Sequence, residues 1–217
     1  MTKKEELALK RQRKKMHKNL LCPLDGGSSA LNFINTLQNR KSENPKDYLY
    51  DYEAFLLWCN YAGVIDDEVM KVLDIEAYCY ERETKQIFEK VLNARFALYQ
   101  ICLSIIKNKP AEEIYMREFN MVIDAGAKFF RYERYGSGFR RAWFDIELEI
   151  AAPLWILFQL AAVFLERCNP KHIKECPCCG SLFYDRSKNF ARIYCNPKKC
   201  SNRTYVKRYY QANKSTQ

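Results

Sequence analysis

Apolar side chains recur every three or four residues along most of the chain, which is the spacing of one face of an α-helix. This spacing predicts helices over residues 30–37, 52–62, 66–73, 84–108, 111–123 and 150–168. Segment 84–108 carries its apolar side chains on one stripe, and Gly63 and Pro110 stand where two of the helices should end. The pattern indicates a mainly α fold.

Residues 129–146 follow a different pattern, in which aromatic side chains alternate with Arg and Glu. Gly136, Ser137 and Gly138 interrupt the alternation at its centre. Alternation on both sides of a glycine-rich turn is typical of a β-hairpin. We therefore expect one hairpin within the helical region.

The most apolar stretch, residues 150–165, includes Pro153 and Gln159 and lies between Glu149 and Glu166. It is too short for a membrane span, which needs about 20 apolar residues. The stretch is therefore predicted to be a buried core helix, and no membrane partner is expected.

Composition is typical of a globular protein with its own core. The 217 residues are 48% hydrophobic, which is too apolar for a disordered chain. Residues 1–19 are basic and lack an apolar segment, so no secretory signal is expected and the predicted location is cytoplasmic. In that compartment the ten cysteines should stay reduced or bind metal.

The net charge of +10 is concentrated at the two ends of the chain. Residues 1–19 carry eight basic and two acidic side chains, and residues 171–217 carry eleven basic and two acidic ones, which leaves the middle at net −5. An acidic body with basic ends favours a polyanionic partner, although a solubilising tail would also explain the N-terminal charge.

Four cysteines near the C-terminus have the spacing of a metal site. Cys176 and Cys179 form a C-x2-C pair, and Cys195 and Cys200 form a C-x4-C pair after fifteen intervening residues. Two such pairs are typical of tetrahedral zinc, and four protein ligands leave no open position for a substrate. The sequence therefore predicts one structural zinc ion per chain.

Two neighbours compete for the metal. Cys178 could replace either member of the first pair, but only Cys176 with Cys179 leaves two intervening residues and a following Gly180. His172 is a further candidate ligand, although four thiolates already close the site. The other cysteines are expected to be buried, inert thiols; they are Cys22, Cys59, Cys79, Cys102 and Cys168.

The sequence around the ligands predicts a treble-clef-like order of a knuckle, a hairpin and a helix. Residues 182–184 and 192–194 are expected to pair as the hairpin, and Ser201 is expected to cap a helix that runs through Tyr210 and turns Val206 and Tyr209 inward. So small a module buries little apolar surface, and zinc would supply the missing free energy of folding.

The basic side chains of this module are the candidate contacts to nucleic acid. They are Arg192, Lys198, Lys199, Arg203, Lys207 and Arg208. Zinc with four thiolates formally contributes −2, so the segment keeps a strong positive charge for phosphate contact. Duplex DNA is the expected partner, and Arg203 has a competing role in bracing the knuckle.

The same segment resembles the CGNR zinc finger of bacterial transcription regulators. The matching positions are Cys179, Leu182, Phe183, Asp185, Ser187, Arg192, Cys195, Cys200, Asn202 and Arg203. Ser201 stands where the family has Gly, and Tyr194 where it has Trp. Residues 24–40 and 55–65 are similar to the N-terminal domain of that family, which is described as a stress-induced regulator domain.

This resemblance implies a DNA-binding transcriptional regulator whose helical domain senses a small-molecule ligand. The expected organisation is a basic arm over residues 1–22, a helical regulatory domain over 23–170 and a CGNR-like finger over 171–217. A candidate ligand pocket is formed by Asn35, Thr36, Arg40, Arg95 and Asn120. Helix capping and surface ion pairs would explain the same residues.

Two further functions stay open at this stage. The aromatic side chains of the finger suit an RNA-binding protein, and zinc could instead hold a protein-interaction module. An enzyme is not expected, because the chain has only two His and no phosphate-binding loop or nucleophile motif.

Overall fold

The computed structural model describes residues 22–214, apart from the side chains of residues 207, 208, 210–212 and 214 near the end of its last helix. The predicted basic arm thus lies outside the described residues, except for Cys22. The helices are Ser29–Ile34 (α1), Tyr52–Tyr61 (α2), Asp67–Cys79 (α3), Glu81–Ile106 (α4), Glu113–Ala127 (α5), Ala152–Arg167 (α6) and Asn202–Lys214 (α7).

Three short antiparallel hairpins complete the described part of the chain. Their paired strands are Leu37–Gln38 with Lys46–Asp47 (β1 and β2), Phe130–Tyr135 with Gly138–Trp143 (β3 and β4), and Ile173–Glu175 with Leu182–Tyr184 (β5 and β6). The expected mainly α fold with a hairpin around Gly136 is therefore confirmed.

Side-chain caps fix where three of the helices begin. Ser28, Asp51 and Asp66 each accept a hydrogen bond from a backbone N–H in the first turn of α1, α2 and α3. Such caps satisfy N–H groups that have no partner inside the helix. At the other end of α2, Gly63 adopts a φ of 71°, as a left-handed helix terminus requires.

The main core is centred on the aromatic ring of Phe33 in α1. Its ring centroid lies 5.7 to 6.4 Å from those of Phe55, Trp58 and Phe158 on α2 and α6. Where α5 crosses α6, a Cβ on Gly126 would come within 2.7 Å of Trp155, so only glycine allows this approach. The apolar run near residue 150 is the buried helix α6, as predicted.

The last hairpin joins this core to the cysteine-rich segment. Ile173 in β5 and Leu182 in β6 are both buried and belong to the main core. The division of the chain at residue 170 stays a prediction about folding. Because Ile173 and Leu182 are buried in the main core, truncation at this boundary should lower the free energy of unfolding of the helical region.

Some element bounds differ from the sequence predictions. Helix α1 ends at Ile34 and gives way to a strand, whereas α3 continues to Cys79 rather than ending at residue 73. The predicted hairpin between residues 182–184 and 192–194 is wrong, because β6 pairs with β5 instead. Among the described residues, no helix is both long and apolar enough to cross a membrane.

Candidate metal centre and the surface around it

The four predicted ligands come together as one buried cluster. The Sγ atoms of Cys176, Cys179, Cys195 and Cys200 all lie within 4.8 Å of one another. The distance is 3.4 Å from Cys179 to Cys195, 3.6 Å from Cys195 to Cys200 and 3.7 Å from Cys179 to Cys200. Tetrahedral zinc with bonds near 2.3 Å places sulfur atoms about 3.8 Å apart, so the cluster fits one zinc ion.

A tight knuckle holds the first pair of ligands. The backbone N–H of Gly180 donates to the carbonyl of Cys176 at 2.9 Å, and the N–H of Cys176 donates to the carbonyl of Ser181 at 2.8 Å. Gly180 has a φ of 76°, and a Cβ there would lie 3.2 Å from the Cβ of Arg40. Glycine is therefore required by both the backbone conformation and the close approach of the helical region.

The second pair lies on a helical turn that leads into α7. Asn196 caps this turn with its side chain, which accepts from the N–H of Lys199 at 3.1 Å. The chain then forms one π-helical turn over Pro197–Ser201 and continues as α7. The predicted cap at Ser201 is therefore wrong, because Ser201 lies inside the continuous helical segment.

The four thiols are coupled to one another by hydrogen bonds within the cluster. Hydrogen bonds from the thiols of Cys179 and Cys195 lower the pKa of Cys176, whereas the hydrogen bond with Cys176 raises the pKa of Cys195 and burial raises that of Cys200. The thiol of Cys179 donates a hydrogen bond to the hydroxyl Oγ of Ser181 at 3.3 Å. Zinc binds cysteine in the thiolate form, so metal binding would release the protons of the cluster.

Neither of the two other candidate ligands, Cys178 and His172, belongs to the cluster. The described residues bring four thiols into the cluster, and Cys178 is not among them. The ring of His172 stacks on Phe190 with centroids 3.7 Å apart. The ligand assignment made from the spacing is therefore the one that the geometry supports.

A buried carboxylate organises the loop between the two pairs. Asp185 is fully buried and accepts four hydrogen bonds, from Nζ of Lys174 at 2.7 Å, from the N–H and hydroxyl of Ser187 at 2.9 and 2.7 Å, and from the N–H of Arg192 at 3.0 Å. Burial alone would raise the pKa of Asp185, but these donors outweigh it and lower the pKa below the usual range. Lys174 also donates to the carbonyls of Phe190 and Arg192, which closes the loop.

Of the six candidate nucleic-acid residues, two make contacts within the protein, two are exposed without partners among the described residues, and two have side chains outside the described residues. Arg192 is used internally, because Nε donates to the carbonyl of Tyr194 at 2.9 Å and the guanidinium lies over the ring of Phe183. Arg203 donates to the side chain of Asn39 at 2.9 Å. This contact joins Arg203 to the helical region and not to the knuckle, so the bracing of the knuckle foreseen for Arg203 stays a prediction.

Lys198 and Lys199 are exposed on the turn between the third and fourth ligands. Their ammonium groups make no hydrogen bond or ion pair with the described residues. The side chains of Lys207 and Arg208 lie outside the described residues. Val206 and Tyr209 are 49% and 58% exposed, so the prediction that they turn inward is wrong.

The residues proposed as a ligand pocket make contacts within the fold. Thr36 accepts from Nη1 of Arg95 at 2.8 Å, and Arg95 also pairs with Asp47. Arg40 donates to the carbonyl of Ile34 at 2.6 Å and lies over the ring of Tyr99. Asn120 is exposed on α5. The pocket stays a prediction, and these internal bonds agree with the alternative of a structural use.

Asn35 has a role that its sequence position did not reveal. Its amide donates to the carbonyl of Leu182 at 2.7 Å and accepts from the N–H of Leu182 at 2.9 Å. A side chain of the helical region therefore satisfies the free edge of β6. Nothing local in the sequence marks this contact, because 147 residues separate the partners.

Further bonds hold the finger against the turn that precedes α1. The N–H of Tyr184 donates to the carbonyl of Gly26 at 2.8 Å, and the amide of Asn196 donates to Asp25 at 3.0 Å. Lys41 pairs with Glu175 at 2.9 Å. The metal centre is therefore packed directly on the helical region.

The remaining cysteines are mostly inert. Burial raises the pKa of Cys22 and of Cys102 to about 12, and it also raises the pKa of Cys59. Cys168 is half-buried. The expectation of burial is wrong for Cys79, which is exposed at the end of α3.

Four clustered thiols on a knuckle and a helix define a zinc finger protein with one structural zinc site. The family model of the CGNR zinc finger matches residues 172–212, which identifies this segment as a CGNR zinc finger. The match covers the finger and not the helical region. No curated protein matches the chain.

Proposed function

We propose that the finger binds duplex DNA and that the protein is a transcriptional regulator without enzymatic activity. The observation that carries the proposal is the pair Lys198 and Lys199, exposed and without partners among the described residues, on the turn that two zinc ligands hold. Cations that are fixed in place and not neutralised internally are what phosphate contact requires.

Charge supports the same partner. Residues 171–217 carry eleven basic and two acidic side chains, and a metal centre that formally contributes −2 still leaves the segment strongly positive. The acidic side chains Asp185 and Glu175 are both paired with lysines, which removes them from competition with phosphate. Binding of this kind releases counterions and weakens as salt rises.

The regulatory part of the proposal places an effector in the helical region. What supports it is the direct link between the regions, in which Asn35 bonds the backbone of Leu182. Thr36, the next residue, is bonded to Arg95 of α4. A change in the packing of α4 against α1 can thus reach the finger through adjacent residues.

The test is a fluorescence anisotropy titration of the full chain with duplex DNA, single-stranded DNA and RNA at several salt concentrations. Lys198→Gln with Lys199→Gln should weaken duplex binding across all sequences and reduce the salt slope by about 0.9 for each phosphate that the variant no longer neutralises. Lys207→Ala with Arg208→Ala should act in the same direction while zinc content is unchanged.

The matched control removes two exposed lysines from the helical region, by Lys71→Gln with Lys90→Gln. It changes the net charge equally and should leave the affinity within about two-fold. If duplex binding is absent at low salt, or falls equally in the control, the DNA proposal fails and a protein-interaction module takes its place. Tighter binding to RNA than to duplex DNA would favour the RNA-binding alternative.

A further inference from the structure

The β3–β4 hairpin is a basic element within an acidic part of the chain. Residues 128–143, here called the basic ribbon, carry five basic side chains and one acidic one, although residues 20–170 as a whole have net charge −5. The basic side chains are Lys128, Arg131, Arg134, Arg140 and Arg141. The proposed function of the finger does not use this charge.

The strand register places aromatic and Arg side chains together on one face of the ribbon. Tyr132 pairs with Arg141, and Arg134 pairs with Phe139. Directly opposite residues in an antiparallel pair point to the same face, as do residues two apart on one strand. Two aromatic rings and two guanidinium groups therefore share this face near the tip.

These side chains are open to solvent. Tyr132 is 62% exposed and Phe139 is 79% exposed. Arg134 makes no hydrogen bond or ion pair with the described residues, whereas on the other face Arg140 is paired with Glu133. Exposed aromatic rings of this size are removed from water only when a partner covers them.

The base of the ribbon is anchored, so the face has a fixed orientation. Phe130 and Trp143 form an edge-on pair with centroids 5.6 Å apart, and Trp143 lies against Gly126 of α5. The guanidinium of Arg141 lies 5.4 Å from the ring centroid of Phe130 and 6.0 Å from that of Tyr132. The guanidinium of Arg141 thus lies beside two rings of this face, and the exposed sides of Tyr132 and Phe139 are open to a further planar group.

We propose that this face of the basic ribbon binds single-stranded nucleic acid. Unpaired bases stack on Tyr132 and Phe139, while Arg134 and Arg141 contact the phosphates. Aromatic platforms flanked by cations are the chemistry by which single strands are held without sequence preference. A duplex keeps its bases stacked on each other and offers none to these rings, so the single strand fits the face best.

The test measures fluorescence anisotropy with labelled oligothymidylate and oligouridylate of about twelve nucleotides and with a duplex of the same length, within the site sizes known for such surfaces. The full chain is used with the Lys198→Gln and Lys199→Gln substitutions, which weaken the contribution of the finger, and each ribbon variant is compared with that same parent. Tyr132→Ala with Phe139→Ala should weaken binding of the single strand by roughly ten-fold or more, because the bases no longer have rings to stack on. Affinity for the duplex should change by less than about two-fold.

Three companion variants distinguish stacking from charge and from loss of fold. Tyr132→Phe with Phe139→Tyr keeps both rings and should retain binding. Arg134→Gln with Arg141→Gln should weaken binding and flatten its salt dependence. Tyr78→Ala, which removes an aromatic side chain that is 88% exposed on α3, should have no effect.

Photo-crosslinking with an iodouracil-substituted oligonucleotide adds a readout of position, and the crosslink should map to Tyr132 or Phe139. Equal binding of oligothymidylate and oligouridylate would mean that the face does not distinguish DNA from RNA, as expected for stacking. The proposal is overturned if single strands do not bind at low salt. It is equally overturned if the double alanine variant binds like the parent, or if Tyr78→Ala loses as much affinity.

Discussion

The helical region buries large apolar side chains against one another, whereas the finger buries thiols and a carboxylate. Phe33, Phe55 and Leu98 are fully buried in the helical region. In the separate apolar cluster at the metal centre, Phe183 is the one buried apolar side chain besides the cysteines, among the residues that the structure describes. Apolar burial stabilises the first region, while the second depends on zinc and on satisfied polar groups.

The two regions are therefore stabilised by different interactions, although they meet at one contact surface, which includes Asn35 of the helical region and Ile173 and Leu182 of the finger. Ile173 and Leu182 belong to the finger by sequence and to the helical core by packing. A change that acts only on the metal or only on the apolar core should therefore lower the stability of one region. A change at the contact surface should lower the stability of both.

The largest effect should come from loss of one zinc ligand. Cys195→Ala should abolish zinc binding and unfold the finger, because structural zinc contributes on the order of 10 kcal/mol to folding. Cys178→Ala is the matched control and should keep about one zinc per chain, since Cys178 is not part of the cluster. Elemental analysis and circular dichroism of both variants check this, and zinc loss in the Cys178 variant would contradict the ligand assignment.

Truncation after Pro170 tests the boundary between the regions. The remaining helical region should unfold cooperatively, but with a free energy of unfolding reduced by about 4 kcal/mol, because burial of Ile173 and Leu182 is worth about 2 kcal/mol each. Urea unfolding followed by tryptophan fluorescence measures the change. If the truncated protein has no helical signal, the finger is integral to one core and the two-domain division is wrong.

The contacts between the two regions are also the part of the structure that could not be predicted from the sequence. Caps at Asp51 and Asp66 and the turn at Gly136 are local signals, and the elements that they delimit were predicted. The spacing of Cys176, Cys179, Cys195 and Cys200 is likewise visible in the sequence, and it predicted the four zinc ligands. The partner of β6 was not predictable, because Ile173–Glu175 is a three-residue strand whose pairing depends on tertiary packing.

Residues 192–194 were misread as a strand for the same reason. The backbone of Arg192 is held by the side chains of Asp185 and Lys174 rather than by a neighbouring strand. Cys79 was expected to be buried because apolar residues surround it in sequence, yet α3 turns it to solvent. Side chains that satisfy distant backbone groups leave no periodic signal.

Asp185→Asn tests the polar network that organises the finger. Removing the buried carboxylate leaves the partly exposed ammonium of Lys174 without its ion-pair partner, which should cost about 3 kcal/mol at neutral pH. Because the folded state lowers the pKa of Asp185, its contribution is present above the unfolded pKa near 4 and is lost as the pH falls through the folded pKa. The stability difference between the two proteins should therefore shrink below about pH 4, and a difference that stays constant down to pH 3 would contradict the lowered pKa of Asp185.

The smallest effect, and the one that reaches both regions, should follow Asn35→Ala. It leaves the N–H and carbonyl of Leu182 without partners at a buried site, which should lower stability by about 2 kcal/mol. Zinc content should be unchanged, while DNA affinity falls if the link positions the finger. Asn120→Ala, at an exposed position, is the control and should lie within about 0.5 kcal/mol of the parent; equal effects of the two substitutions would remove Asn35 from the contact surface.

Hydrogen exchange of the full chain, followed by mass spectrometry with and without a zinc chelator, tests the central distinction most directly. Chelation should remove protection from backbone amides of residues 173–203, whereas the centre of α4 should keep its protection, because apolar burial holds it. Retained protection of the finger after zinc has been removed would contradict the account. Simultaneous loss in α4 would contradict it as well, since the two regions would then share one source of stability.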